Sequence, residues 1–365
     1  MVMAMNETGR GSVVAFPRPE IAARVEAIGS VSGFTDTDLD RARFYALLGP
    51  LREFLDREFV TNVTANEDGR IFVEEFGRGK YLAPVRMEES QRSALISYLA
   101  NAEFGRAMDQ LHSRLQCDLP LYGCRVQAFC PPINRWSLII RVHSKHVIPI
   151  ETYVDRGEMS PTHAAYLAKA IEEEANIGVA GSVNSGKTTL LNALLHKKSE
   201  IHPTARGVVV QDRRELKYDG FEDILPLMAR VDQAHHESNG AVVRYTYEFS
   251  DALEDALRSN GDFLVWGEVR DGFSALGLTM ALNTGTKGLM MTTHANSCID
   301  TMFRLEDLLR LNGKTPIRRM IARVVDVLVF MERNRDTGRR RVLQIARVLG
   351  VDETTDSYIL EDIAG

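Results

Sequence analysis

The sequence contains few cysteines, and their spacing excludes the common zinc sites and disulfide scaffolds. Among 365 residues there are four, Cys117, Cys124, Cys130 and Cys298. The first three lie seven and six positions apart, which fits no zinc pattern such as paired C-x-x-C. Because no disulfide framework is discernible, we expect reduced cysteines in packed positions and a cytoplasmic protein.

Long apolar runs are also absent. No stretch approaches the ~20 apolar residues that a membrane-spanning helix requires. The first twenty residues lack the basic region and apolar core of a secretory signal. The sequence therefore predicts a soluble chain that could dock on a membrane only through partners.

Positive charge is not in excess: 44 basic side chains face 50 acidic ones, for a net charge of −6. Proteins that coat nucleic acids need a net basic surface, so we expect no stable nucleic-acid binding. Two basic segments are nevertheless present. We interpret Arg318-Arg319 as an exposed helix face and Arg339-Arg340-Arg341 as a solvated hairpin turn.

The chain is long enough for two domains, and its apolar periodicity changes along the sequence. We predict a flexible extension over residues 1–38, an α+β domain over 39–150 and a linker over 151–159. Within the α+β domain, helical spacing covers 39–59 and 88–116, and strand patterns lie between and after them.

The remainder, residues 160–365, alternates strand and helix patterns. This alternation predicts a parallel sheet that is covered on both faces. Ser160-Pro161 is a helix start, with serine as N-cap and proline at the first helical position. Near the end of the chain, 324–331 and 341–345 look like hairpin strands.

A glycine-rich loop carries the strongest functional signal. It follows a short apolar strand at 177–180 and precedes a helix, and it reads Gly181, Ser182, Val183, Asn184, Ser185, Gly186, Lys187 and Thr188. Glycines at these positions let backbone N–H groups point at phosphates, and the helix adds its positive end. We predict that Lys187 neutralises the β- and γ-phosphates of ATP and that Thr188 holds Mg²⁺.

Polar residues follow three further predicted strands. Asp212 and Glu215 come after Val208-Val209-Val210, Glu268 and Arg270 end an apolar strand, and His294 follows Thr292-Thr293. Ligands of open parallel sheets bind beyond the carboxyl ends of the strands. Each residue could instead be an ordinary capping or ion-paired loop residue, but their positions favour a shared site in which Glu268 orients water or the hydrated metal.

In this order, these motifs resemble the secretion or traffic ATPase family of type II secretion, type IV secretion and type IV pili. The resemblance covers about residues 40–350 and is nearest to the compact type IV secretion and conjugation branch. It implies a RecA-like α/β P-loop domain after a smaller α+β domain, with ATP and Mg²⁺ as ligands. It also implies a homo-hexameric ring that works with inner-membrane components of a secretion or conjugation machine.

The resemblance assigns roles to particular residues. Gly181 to Thr189 resembles the Walker A loop, 209–216 the Asp box, 262–270 the Walker B segment and 292–297 the His box. The catalytic candidates are thus Lys187, Asp212, Glu215, Glu268, Arg270 and His294. Arg125 and Arg141 resemble the family's strand arginines, which reach the bound nucleotide from the first domain.

One departure leaves alternatives open. The Asp box of the family usually begins Glu-Asp, whereas this chain has Gln211-Asp212, and glutamine cannot act as a general base. The leading hypothesis is an ATP-driven motor. A nucleotide-gated scaffold with slow or no turnover is the second, and a nucleic-acid motor the third.

Overall fold

The computed structural model describes most of the chain, namely residues 38–75, 78–104, 107–142, 147–229, 231–236, 242–283, 287–334 and 338–365. Of the predicted extension, residues 1–37 lie outside the described residues. The chain divides into two compact units. One contains the described residues up to Val142 together with Gly338, and the other those from Val147 to Asn334 and from Arg339 to Gly365.

The first unit is an antiparallel sheet with helices. Its helices are α1 (Asp38–Leu48), α2 (Leu51–Leu55) and α3 (Glu89–Phe104). Its strands are β1 (Val60–Ala65), β2 (Arg70–Glu75), β3 (Gly79–Arg86), β4 (Arg114–Leu119), β5 (Cys124–Phe129) and β6 (Ser137–Arg141). The strand order is β3-β2-β1-β6-β5-β4, with every neighbouring pair antiparallel.

A single apolar cluster joins the helices to this sheet. Leu95 and Leu99 of α3 are buried together with Val63, Val126 and Ile140, which lie on three different strands. Alternate residues of each strand point to this core, because successive side chains of a strand face opposite sides. The predicted α+β character of the first domain rests on this packing.

Two predictions for this unit were wrong in detail. The helix predicted over 88–116 ends at Phe104, and Arg114–Leu119 forms strand β4. In that strand Leu115, Cys117 and Leu119 are buried while the intervening residues are exposed, a period of two that fits a strand rather than a helix. The helical stretch over 39–59 is likewise divided, because Gly49 adopts a left-handed φ of 51° between α1 and α2.

The second unit contains the remaining elements. Its helices are α4 (Ile150–Asp155), α5 (Pro161–Glu172), α6 (Lys187–Ile201), α7 (Phe249–Arg258), α8 (Gly272–Asn283), α9 (Cys298–Leu311) and α10 (Arg318–Ala322). Its strands are β7 (Ile177–Gly181), β8 (Gly207–Gln211), β9 (Ile224–Met228), β10 (Val231–His236), β11 (Val242–Tyr247), β12 (Phe263–Val269), β13 (Met290–Thr293), β14 (Val327–Arg333), β15 (Arg340–Asp352) and β16 (Ser357–Asp362).

The main sheet of this unit is parallel at its centre. Its strand order is β16-β15-β14-β7-β13-β12-β8-β9, in which β14 to β9 run parallel and β15 and β16 are antiparallel additions. Every residue of β7 and β8 is buried. Val208 and Val210 belong to one apolar cluster and Val209 to another, so the sheet is covered on both faces, as predicted.

The start of this unit matches the prediction for Ser160 but not the prediction of a linker. Ser160 caps α5, since its side chain accepts a hydrogen bond from the N–H of His163 at 3.0 Å. The segment predicted as a linker, 151–159, instead lies mostly in helix α4 and the turn after it. Ile150, Tyr153 and Met159 are buried in the core of the second unit, which accounts for the difference.

The carboxyl-terminal hairpin strands are present as β14 and β15, and a further strand, β16, extends them. Residues 335–337, between β14 and β15, lie outside the described residues. Among the described helices, none is both long and apolar enough to cross a membrane.

Candidate functional site

The phosphate-binding loop runs from the end of β7 to the start of α6. Gly186 caps α6 with φ of 98°, a conformation that a residue with a side chain rarely adopts. A Cβ on Gly181 would stand 2.4 Å from the carbonyl oxygen of Met331 and 2.5 Å from Oγ of Ser185. Both glycines are therefore required by the geometry of this loop.

Lys187 is the first residue of α6 and is buried. Its Nζ donates hydrogen bonds to the carbonyl oxygens of Gly181 at 3.1 Å and Ser182 at 2.9 Å, and it lies 3.3 Å from Nδ1 of His294. The loop thus holds the ammonium group over its own centre. A buried ammonium group in this position is a suitable donor for the oxygens of an anionic ligand.

The hydroxyl of Ser185 supports the same interpretation. This residue is fully buried, and its Oγ has no hydrogen-bond partner within the described part of the chain. Buried polar atoms are usually paired, so an unpaired one beside a lysine and a helix N-terminus fits a loop that receives phosphate oxygens. Thr188 and Thr189 lie in the first turn of α6 and are half-buried.

The predicted residues at other strand ends form one connected polar cluster. Oε1 of Glu268 lies 3.0 Å from Nε2 of His294, and its other oxygen lies 3.7 Å from the guanidinium of Arg270. Arg270 in turn forms an ion pair with Asp212. Residues from β8, β12 and β13 thereby meet beside Lys187, as the rule for parallel sheets predicts.

The contacts of His294 define its tautomer. The ammonium of Lys187 can only donate, so Nδ1 must accept and the neutral ring carries its hydrogen on Nε2, which donates to Glu268. This hydrogen bond is the largest cause of a lowered pKa for Glu268, and the charges of Arg270 and Lys187 act in the same direction. Glu268 is therefore ionised at neutral pH despite its partial burial.

Gln211 has a bracing role that the sequence did not reveal. It is almost fully buried, and its Oε1 accepts hydrogen bonds from the N–H groups of Glu215 and Leu216, both at 3.1 Å. Asn192 of α6 braces the same loop by donating to the carbonyl of Glu215 at 3.0 Å and accepting from the N–H of Lys217 at 2.8 Å. An asparagine buried inside a helix was the available signal, because such a residue needs partners.

The structure also describes three further predicted site residues. Glu215 is half-buried, and its hydrogen bonds to Gln211 and Asn192 are made by its backbone. Arg125 and Arg141 belong to the first unit, where they are direct cross-strand partners on β5 and β6 and are half-buried. Their role at the nucleotide stays a prediction.

The basic helix α10 does not offer free charge. Nε of Arg318 lies 2.8 Å from Oε1 of the buried Glu306, and Arg319 lies 3.0 Å from Glu353. Because these charges are balanced locally, the helix adds little to a phosphate-binding surface.

Comparison with known proteins identifies the fold class and the family. The fold class is a RecA-like α/β P-loop domain that follows a smaller α+β domain, as predicted. The family model for "Type II/IV secretion system protein" matches residues 47–353, and the chain belongs to this family.

Relatives within the family match this chain over most of its length and most of their own. The chain is 32% identical over 296 residues to a "Probable conjugal transfer protein TrbB" of Sinorhizobium fredii, covering 80% of this chain and 85% of the relative. It is 27% identical over 326 residues to the "Type IV secretion system protein VirB11" of Brucella suis, covering 80% and 87%. Among solved structures, the Legionella pneumophila ATPase DotB is similar in fold, with a TM-score of 0.55, 20% identity and coverage of 89% and 83%.

Proposed function

We propose that this protein is an ATP-hydrolysing, homo-hexameric motor that powers macromolecular transfer or pilus assembly in a bacterial type IV secretion or conjugation-type system. The observation that carries the proposal is the contact of Lys187, His294 and Glu268 at three neighbouring strand ends. Family membership, and the relatives named for conjugal transfer and type IV secretion, support the biological setting.

In this proposal the loop from Gly181 to Thr189 holds the phosphates of ATP. Its backbone N–H groups and Lys187 bind phosphate oxygens, and the hydroxyl of Thr188 is a ligand for Mg²⁺. The bound metal ion would neutralise charge on the β- and γ-phosphates. The unpaired Oγ of Ser185 and the glycines that leave no room for a Cβ fit such an occupant.

In this proposal the side chains of the polar cluster carry out ATP hydrolysis. Ionised Glu268 orients the attacking water and accepts its proton, and His294 fixes the carboxylate through its Nε2 hydrogen bond. Asp212 holds Arg270, whose charge stabilises the charge that develops during hydrolysis. Glu215 assists from the same loop, and Arg125 and Arg141 contact the nucleotide from the first domain.

The scaffold hypothesis depended on Gln211, and its contacts weaken that hypothesis. The amide oxygen of Gln211 is occupied by two backbone N–H groups, so an acid at this position would meet the loop rather than a water in the site. We therefore favour a motor. The proposed setting is the cytoplasmic face of the inner membrane, with peripheral attachment through other components of the machine.

The direct test is steady-state release of phosphate with and without Mg²⁺. Activity should require the metal ion and should fall at least about 10²-fold in Lys187→Ala, whereas Lys169→Ala, an exposed lysine paired with Glu173 on α5, should match the wild type. Specific activity should rise with protein concentration as rings assemble, as light scattering would show. Wild-type activity no higher than that of Lys187→Ala would reject the motor.

A further inference from the structure

Arg340 does not behave as the solvated turn residue that its sequence position suggested. It opens β15 and is half-buried, and its Nε donates a hydrogen bond to the carbonyl oxygen of Asn184 at 3.0 Å. Asn184 is the fourth residue of the phosphate-binding loop. The Cδ of Arg340 lies 3.0 Å from the place that a Cβ on Gly186 would occupy.

The strand before Arg340 contacts the same loop. Met331 of β14 is the register partner of Gly181, and its carbonyl oxygen closes the space beside that glycine. Arg340 pairs with Arg333 on β14 and closes the space beside Gly186. Strands β14 and β15 thus form a wall against both glycines that define the loop.

The hydrogen bond from Arg340 fixes the orientation of one peptide group. In a trans peptide the carbonyl of Asn184 and the N–H of Ser185 point in opposite directions. With the carbonyl held by the guanidinium, the N–H points into the loop, where it donates to the carbonyl of Ser182 at 3.3 Å. Asn184 has φ of 62°, in the left-handed region that asparagine adopts more readily than other residues with a side chain.

The strand that carries Arg340 is itself held by a backbone hydrogen bond. The N–H of Val342, two residues along β15, donates to the carbonyl of Glu158 at 2.8 Å. Burial raises the pKa of the Glu158 carboxyl, and the charge of Arg340 opposes that rise. The strand that sets the position of Arg340 is therefore tied to the segment that contains Glu158.

We propose that Arg340 is a positioning residue of the phosphate-binding loop: by holding the Asn184 carbonyl it keeps the peptide group between Asn184 and Ser185, and with it the loop, in the conformation that receives phosphate. The inference rests on the proposed function, because it assigns a role at the same nucleotide site. It also connects β15, in the antiparallel part of the sheet, to that site.

The test compares Arg340→Ala, Arg340→Lys and a matched control, Arg341→Ala, which removes an exposed arginine next along the same strand. Lys187→Ala serves as the reference for a disabled loop. The dissociation constant of a fluorescent, non-hydrolysable ATP analogue is titrated in the presence of Mg²⁺, and thermal unfolding is measured on each variant. Steady-state kinetics then separate KM from kcat.

Because a charge-assisted hydrogen bond is lost, the dissociation constant of the analogue for Arg340→Ala should rise about tenfold. In the steady-state kinetics the change should appear mostly in KM rather than in kcat. The Tm should equal that of Arg341→Ala, whose affinity should stay within about twofold of the wild type. Arg340→Lys should recover only part of the affinity, because lysine keeps the charge but not the planar donor group.

Two results would overturn the inference. The first is affinity of Arg340→Ala equal to that of Arg341→Ala while Lys187→Ala loses binding. The second is full recovery in Arg340→Lys, which would mean that charge alone matters; this variant also decides the matter if Arg340→Ala fails to fold. If Lys187→Ala binds the analogue as the wild type does, the proposed function fails instead.

Discussion

The two sides of the candidate site are formed by different parts of the chain, one by backbone and the other by side chains. The phosphate-binding side is made by backbone, since Gly181 and Gly186 give the loop a course that no other residue could follow. The opposite side is made by side chains, in which Glu268, His294 and Arg270 hold one another in place. The shape of the first side depends on the lack of room for a Cβ at the two glycines, and the second side depends on the charges of its side chains.

This difference predicts a division of labour. Backbone N–H groups and Lys187 recognise phosphate and contribute to affinity, and they act in the same way on substrate and product. The cluster around Glu268 contributes where charge develops during the reaction. Substitutions on the first side should therefore change binding, and substitutions on the second should change kcat.

The largest effect is expected for Glu268→Gln. The amide keeps the size of the side chain but cannot accept a proton, so kcat should fall by about 10²–10⁴-fold with little change in KM. Glu254→Gln, at an exposed glutamate that pairs with Arg258 on α7, is the matched control. Retention of more than a tenth of the wild-type kcat, as measured by phosphate release, would be incompatible with Glu268 as the base.

The next effect concerns the backbone side. In Gly181→Ala the new Cβ would overlap the Met331 carbonyl oxygen, which is part of a strand and cannot move freely. We expect a loss of about 1–3 kcal/mol in the free energy of unfolding together with loss of nucleotide binding. Gly350→Ala is the control, because Gly350 also has positive φ but has open space around it. Equal losses in both variants would attribute the effect to φ alone.

A pH profile examines the side-chain cluster. His294 lowers the pKa of Glu268, which is needed in its ionised form, so activity is present above that pKa and lost as the pH falls through it. Replacing His294 by alanine raises the pKa, and the acidic limb of the kcat/KM profile should move to higher pH. His112→Ala, which removes an exposed histidine beside Asp109, should leave the limb in place. An unmoved limb in His294→Ala would separate His294 from Glu268.

The smallest effect is expected for Gln211→Glu. A carboxylate can accept the same two backbone hydrogen bonds, and the substitution removes a buried Nε2 that has no partner in the described part of the chain. We expect kcat within about threefold of the wild type. A large rise in kcat would instead restore the view that this position lacks a needed base, and with it the scaffold hypothesis.

The sequence predicted the parts that follow from general rules. The loop pattern and the carboxyl-end rule located Lys187, Asp212, Glu268 and His294, because parallel strands bring their ends to one edge. Strand β4 was missed because its short period-two pattern follows a helix without a strong break. The role of Arg340 depends on a partner, Asn184, that is distant in sequence. The role of Gln211 depends on the path of the loop after β8, which no local sequence pattern predicts.

The most direct test of the division of labour is a calorimetric titration of MgATP into the Glu268→Gln and Lys187→Ala variants. We predict that the dissociation constant of MgATP for Glu268→Gln lies within about threefold of the dissociation constant of a slowly hydrolysed analogue for the wild type. Lys187→Ala should show no measurable binding at the same concentrations. Equal loss of binding in both variants would contradict it, as would binding that survives in Lys187→Ala and disappears in Glu268→Gln.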